Sequence, residues 1–279
     1  MSLHLRFTLL TLAITVGLFG SLLFFLEIGR RRGIRATAKR GPDARVGVGV
    51  VDSAIYGLLG LLIGFTFAGA TARFDVRRQL VADEANAAGT AWQRVALLPV
   101  EQQTAIHDRF RRYMDALLGW YGEAPGYTDT IREPAAVTRA QDDLWVQSVA
   151  TCLTATGEKA RMLLLPALND LFGAVEKERI ARRMHPPAVI WIMLCGTALA
   201  AALFAGYALS SAVTRNRLYT VGFAGCVSLA VYVVIELEYP RLGLIRASSM
   251  DQTLVELRAT WDEAAAPVRR DSTYVAPGS

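Results

Sequence analysis

Cysteine and histidine are scarce in this sequence, and neither is placed for chemistry. Cys152, Cys195 and Cys226 are the only cysteines among 279 residues, and His4, His107 and His185 have no ligand spacing to each other or to a cysteine. A structural metal needs several such ligands at short, repeated spacings, so neither a metal site nor a disulfide framework is written here. A GxSxG elbow is missing, and so is a phosphate-binding glycine loop. The carboxylate pair Asp142 and Asp143 reads as a solvated helix face. Catalysis has no candidate residue, and no cofactor is expected. Period-two alternation is also lacking, which leaves no convincing strand.

Charge is absent from four long stretches. Phe7 to Leu26, Ser53 to Ala72 and Ala188 to Ala212 carry none, and Leu218 to Leu237 carries only Glu236, near its end. About 20 residues at roughly 1.5 Å each cross the hydrocarbon of a bilayer. Apolar residues make up 53% of the chain and its mean hydropathy is +0.30, high for a soluble protein. Buried core helices are the rival reading, and four runs of this length in one short chain argue against it. The first run could instead be a cleaved signal peptide, but it is too long and no small-x-small cleavage site precedes Arg30. The net charge of +5 does not point to nucleic acid, because the basic residues cluster beside the apolar runs.

The expected fold is therefore all-α: four transmembrane helices with one helical extramembrane domain. Residues 1–72 form a hairpin of spans 7–26 and 53–72, and residues 73–185 the extramembrane domain. Residues 186–240 form a second hairpin of spans 188–212 and 218–237, joined by the short link Val213 to Arg217. Residues 241–279 are a C-terminal segment, amphipathic at Leu254, Leu257 and Trp261, with a disordered tail. Asp52 is placed to cap the second span and Pro186-Pro187 to open the third. Arg73 to Leu98 contains no proline and one glycine, so the second span continues out of the bilayer until Pro99 ends it. Ile106, Phe110, Tyr113 and Leu117 mark one face of a helix. Gly119 to Pro134 reads as a loop. Helices follow over 135–156 and 158–184, the latter kinked at Pro166 with Leu165, Leu168, Phe172 and Val175 on its apolar side.

The second span carries the most information. Ser53, Gly57, Gly60, Gly64, Ala68 and Thr71 follow spacings of four and three, one stripe of small residues down a helix. Ile55, Leu59, Leu62 and Phe65 lie largely away from it, Leu62 toward lipid. Lipid tails are as apolar as leucine, so membrane helices associate where small residues let backbones approach. The stripe fits packing against a helix of the same chain, a contact between subunits, or a pore lining. Outside the bilayer it runs on through Asp75, Arg78, Ala82, Asn86 and Gly89, where local pairs such as Asp75 with Arg78 add a few tenths of a kcal/mol each.

The segment from Gly57 to Pro99, GLLGLLIGFTFAGATARFDVRRQLVADEANAAGTAWQRVALLP, resembles the signature of the bestrophin-like domain family, mostly bacterial membrane proteins of unassigned function. By that resemblance the family positions are Gly57, Gly60, Phe65, Thr66, Phe67, Arg77, Arg78, Glu84, Asn86, Thr90, Arg94 and Pro99. The C-terminal Glu236-Leu-Glu-Tyr-Pro-Arg-Leu-Gly243 looks like the family's acidic-x-acidic-x-Pro element, with Glu236 and Glu238 at a membrane boundary. Those glutamates fit a cation site, a helix end or an intersubunit contact. The resemblance implies a distant likeness to bestrophins, pentameric anion channels, although their own pore and calcium-clasp motifs are not seen here.

Two functions follow as expectations. One is a homo-oligomeric channel or pore for small ions, with the second helix lining or packing round the axis. The other is a non-conducting scaffold or sensor whose helical domain binds a partner. A transporter is a third, without a broken helix pair or inverted repeat to support it. The expected home is the bacterial cytoplasmic membrane. Arg30, Arg31, Arg32, Arg35, Lys39, Arg40 and Arg45 after the first span place that loop in the cytoplasm and the middle domain outside. Likeness to bestrophins implies the reverse, and Arg73, Arg77, Arg78, Lys177, Arg179, Arg182 and Arg183 weigh on that side.

Overall fold

A computed structural model describes residues 3–40, 48–122, 134–154, 157–211, 217–239 and 248–265. Every regular element among them is helical: α1 (Leu3–Arg40), α2 (Val48–Arg94), α3 (Val100–Gly122), α4 (Ala135–Cys152), α5 (Glu158–Arg183), α6 (Ala188–Ala208), α7 (Arg217–Glu238) and α8 (Ser248–Ala265). Short 3-10 turns follow α2 at Val95–Leu97 and α6 at Leu209–Ser211. Four stretches are long and apolar enough to cross a membrane: Leu5–Lys39, Gly49–Leu97, Glu158–Ala208 and Arg217–Glu238. The protein is thus an all-α integral membrane protein with four spanning helices. It divides into two compact units, Met1–Gln79 with Glu178–Ala247, and Leu80–Lys177 with Ser248–Ser279.

The first unit holds the apolar spans. Leu22 and Leu26 of α1, Leu59 of α2, Leu194, Ala198, Ala201 and Ala202 of α6, and Ala224, Val227 and Val231 of α7 form one buried cluster. The closest approach is between α1 and α6, and glycine makes it. A Cβ on Gly206 would collide with the backbone of Leu26, whose Cα would lie 2.9 Å away, and one on Gly29 would meet the backbone of Leu203 and Tyr207 at 2.9 Å. At Gly33 a Cβ would overlap Ser210. Small residues on both helices thus replace side-chain packing by near backbone contact. The seam lay unmarked in the sequence because Gly29 and Gly33 stand among the arginines that follow the first span.

The second unit is a helical core of ordinary globular character. Ile106, Phe110, Tyr113 and Leu117, the face expected of α3, are fully buried. Leu144 of α4, Leu164, Leu168 and Leu171 of α5, and Leu254 of α8 are fully buried too. Trp261 of α8 stacks flat on Trp92 of α2, centroids 4.3 Å apart, and His107 stacks on Trp92 at 4.0 Å. Burial there holds the His107 imidazole below its ordinary value. Arg258 of α8 grips Asp115 through two hydrogen bonds of 2.8 and 3.1 Å.

Several expectations change at the level of elements. α2 starts at Val48, so Asp52 does not cap it. Asp52 lies buried inside the helix instead, its Oδ1 without a hydrogen-bond partner. No proline interrupts Val48 to Val51, so intrahelical bonding extends one turn further back. At the other end Pro99 acts as expected. It forces Leu98 to extended backbone at φ −76°, ψ 158°, and the last turn before it tightens to 3-10. α3 takes in Gly119 to Gly122, and residues 123–133 of the expected loop lie outside the described residues. Residues 213–216 of the tight link, residue 212 at the end of the third span and residues 266–279 of the tail lie outside them too. α5 continues through Pro166 as one element.

Candidate functional site

α2 is about 70 Å long at 1.5 Å per residue, and its faces have opposite fates. Within the first unit, Leu59, Thr66, Ala70 and Arg77 recur every seven or four residues and are buried against their own chain. Within the second, Val81, Glu84, Ala85, Ala88, Ala91 and Val95, mostly three or four residues apart, are buried as well. The signature positions divide along this line. Thr66, Arg77 and Glu84 are buried, and half-buried Arg94 donates to the Leu163 carbonyl at 2.9 Å.

Arg77 is the most committed of them. Its Nη1 donates to the Glu238 carbonyl at 2.8 Å, its Nη2 to the Met184 carbonyl at 2.9 Å, and its Nε to the Ala181 carbonyl at 3.3 Å. Nη2 also lies 3.4 Å from Glu238 Oε1. Carbonyls at a helix C-terminus have no intrahelical donor and carry partial negative charge. One planar guanidinium thus closes the ends of α5 and α7 at once. Glu238 is buried, and Arg73 supplies a second partner through Nε at 3.0 Å and Nη2 at 2.9 Å. His185 Nδ1 stands 3.2 Å from Glu238 Oε1, its ring stacked on Tyr239 at 4.8 Å. Two arginines and an imidazole thus surround this carboxylate. Glu236 is fully buried too, with the Tyr232 hydroxyl hydrogen-bonded to it. In the second unit, Glu84 accepts the Tyr121 hydroxyl at 3.0 and 3.1 Å.

The other face of α2 is open along its spanning part among the described residues, and only Gly89, far along the line, nears another helix, where a Cβ would lie 3.7 Å from Leu257 Cδ1. A Cβ added to Gly57, Gly60 or Gly64 would find no atom within 4 Å. Ser53 and Ala68 are exposed, and Thr71 is half-buried. Among the described residues, the stripe from Ser53 to Ala68 has no helix of the same chain packed on its glycines. Phe65, 68% exposed, and Phe67, 44% exposed, flank it on opposite sides. Leu62, expected toward lipid, packs instead with Ile55 and Ile63 against the buried span cluster. Beyond the apolar turns Asp75 and Arg78 are exposed on the same line, and in the second unit Ala82, Asn86 and Thr90 are exposed as well. Pro99 is half-buried at the turn after α2.

Periodicity could have separated Arg77 from Arg78 beforehand, since Arg77 follows Leu59, Thr66 and Ala70 at spacings of seven, four and seven. Its partner 161 residues away carries no such signal.

A family model, Bestrophin-like domain, matches residues 18–250. Crystal structures of two point variants of a bacterial bestrophin homologue from Klebsiella pneumoniae share the fold. One is 14% identical with TM-score 0.62, covering 86% of this chain and 98% of that one. The other is 16% identical with TM-score 0.62, covering 88% and 99%. No curated protein matches the sequence.

Proposed function

The chain belongs to the bestrophin-like domain family, and from that premise we propose that it is a homo-oligomeric membrane pore for small ions, with α2 copies gathered round a common axis, rather than an enzyme. One observation carries the reading. The small-residue stripe from Ser53 to Ala68 is left exposed by the described residues of its own chain, although the opposite face of the same helix is buried. A glycine line that leaves open space in one protomer lets a second backbone come close. Phe65 and Phe67 stand beside that line as apolar surface for neighbouring copies. The spanning part of the stripe is uncharged, so ions there would meet hydroxyls and backbone rather than fixed charge.

The test joins assembly to access. Gly64→Leu puts a branched side chain where helices approach, and overpacking of this kind costs about 1–3 kcal/mol. Subunit counting in detergent should show a lower assembled fraction, while the monomer still inserts. Cysteines at Ser53, Gly57 and Ala68 should accept small water-soluble thiol reagents, and one at Leu62, packed within the spans, should stay protected. Reconstituted protein should conduct in a planar bilayer. Assembly without conduction or labelling leaves the non-conducting scaffold. An unchanged oligomer with Gly64→Leu removes the α2 axis altogether.

A further inference from the structure

We propose that the α2 contact between copies is locked just outside the apolar stripe by an ion pair from Asp75 of one copy to Arg78 of the next. This rests on the reading that α2 faces other copies, and it names the chemistry that fixes their register. The cations of α2 differ in how they are used. Arg73 and Arg77 are spent on Glu238 and helix-end carbonyls, and Arg94 on the Leu163 carbonyl. Arg78 is exposed and forms no ion pair among the described residues, and neither does Asp75, three residues before it. Both lie on the line of the uncovered stripe.

At about 100° per residue the two side chains diverge by about 60° round the helix, one to each flank of the stripe, and about 4.5 Å along it. A cyclic assembly is head-to-tail, so one flank of each copy meets the other flank of its neighbour. An acidic flank therefore meets a basic one at nearly the same height. Symmetry also repeats each charge in every subunit. A ring of Arg78 alone would repel itself, and a ring of Asp75 one turn away offsets it. Arginine suits the contact because its planar fork grips a carboxylate through two hydrogen bonds.

Exchange of the charges tests this directly. Asp75→Arg and Arg78→Asp should each lower the fraction assembled in detergent, shifting the concentration for half-assembly by about tenfold, since like charges then oppose across every contact. The double exchange should restore assembly to near the wild-type level, because the pair is remade with its direction reversed. Both sites are exposed, so thermal unfolding of the monomer should be unmoved. As a second reading, a chain carrying Asp75→Cys and a chain carrying Arg78→Cys, with Cys152, Cys195 and Cys226 replaced by alanine, should give an oxidised dimer when co-expressed. Wild-type assembly after each single exchange, a double exchange no better than the singles, or no mixed disulfide would overturn the pair. Monomeric wild-type protein, or indifference to Gly64→Leu, would instead overturn the reading beneath it.

Discussion

At the scale of residues, two adjacent arginines show how position decides the use of one side chain. Arg77 is buried and saturated by three carbonyls and a carboxylate, and Arg78 points out of the chain. Truncating a buried charge that pairs with another typically costs about 3–5 kcal/mol, since the partner is left unpaired. Arg77→Ala should therefore deplete folded protein in the membrane, measured by thermal unfolding in detergent, because the Ala181, Met184 and Glu238 carbonyls lose their donor and Glu238 keeps only Arg73 and His185. Arg77→Lys should rescue little, because an ammonium cannot reach three helix-end acceptors as a fork does. Arg78→Ala should unfold like wild type. Equal unfolding temperatures for the two alanine variants would defeat this division of labour. The sequence already held the buried line of α2, readable from spacings of seven and four, but chain separation hides the partner that each buried group finds.

At the scale of elements, glycine appears in two roles that look alike in sequence. Gly57, Gly60 and Gly64 face open space, whereas Gly29, Gly33 and Gly206 bring α1 and α6 nearly backbone to backbone. Even a methyl at Gly206 collides with the Leu26 backbone, which cannot swing aside as a side chain can. Gly206→Ala should destabilise the monomer by about 1–3 kcal/mol, and Gly64→Ala should leave its unfolding unchanged. Matching losses in both would show that open space at Gly64 is not what governs it. Spans, and the ends of α2 near Pro99, were legible because length, hydropathy and proline act locally. The fate of each stripe was not, since a GxxxG pair says that something approaches closely and not which helix does so. For the same reason Leu62 was misplaced, because an all-apolar helix offers no contrast between a lipid face and a protein face.

At the scale of the whole molecule, the charge rule and family likeness point in opposite directions across the membrane. Taking the charge rule, the arginines after the first span stay in the cytoplasm and the middle domain lies outside. A cysteine at Tyr127 in an otherwise cysteine-free chain should then be labelled in intact cells, and one at Thr37 only after the cells are broken. The opposite pattern would place the middle domain in the cytoplasm. The clamp at Glu238 also has a consequence in time. Arg77 precedes its acceptor by 161 residues, and ribosomes add roughly 5–20 residues per second. The guanidinium is therefore translated on the order of ten seconds before the carboxylate that will hold it. Until the last span arrives, span two waits with an unquenched cation at its end, and any nascent chain stopped short of α7 carries that charge openly, a mark by which an unfinished copy differs from a finished one.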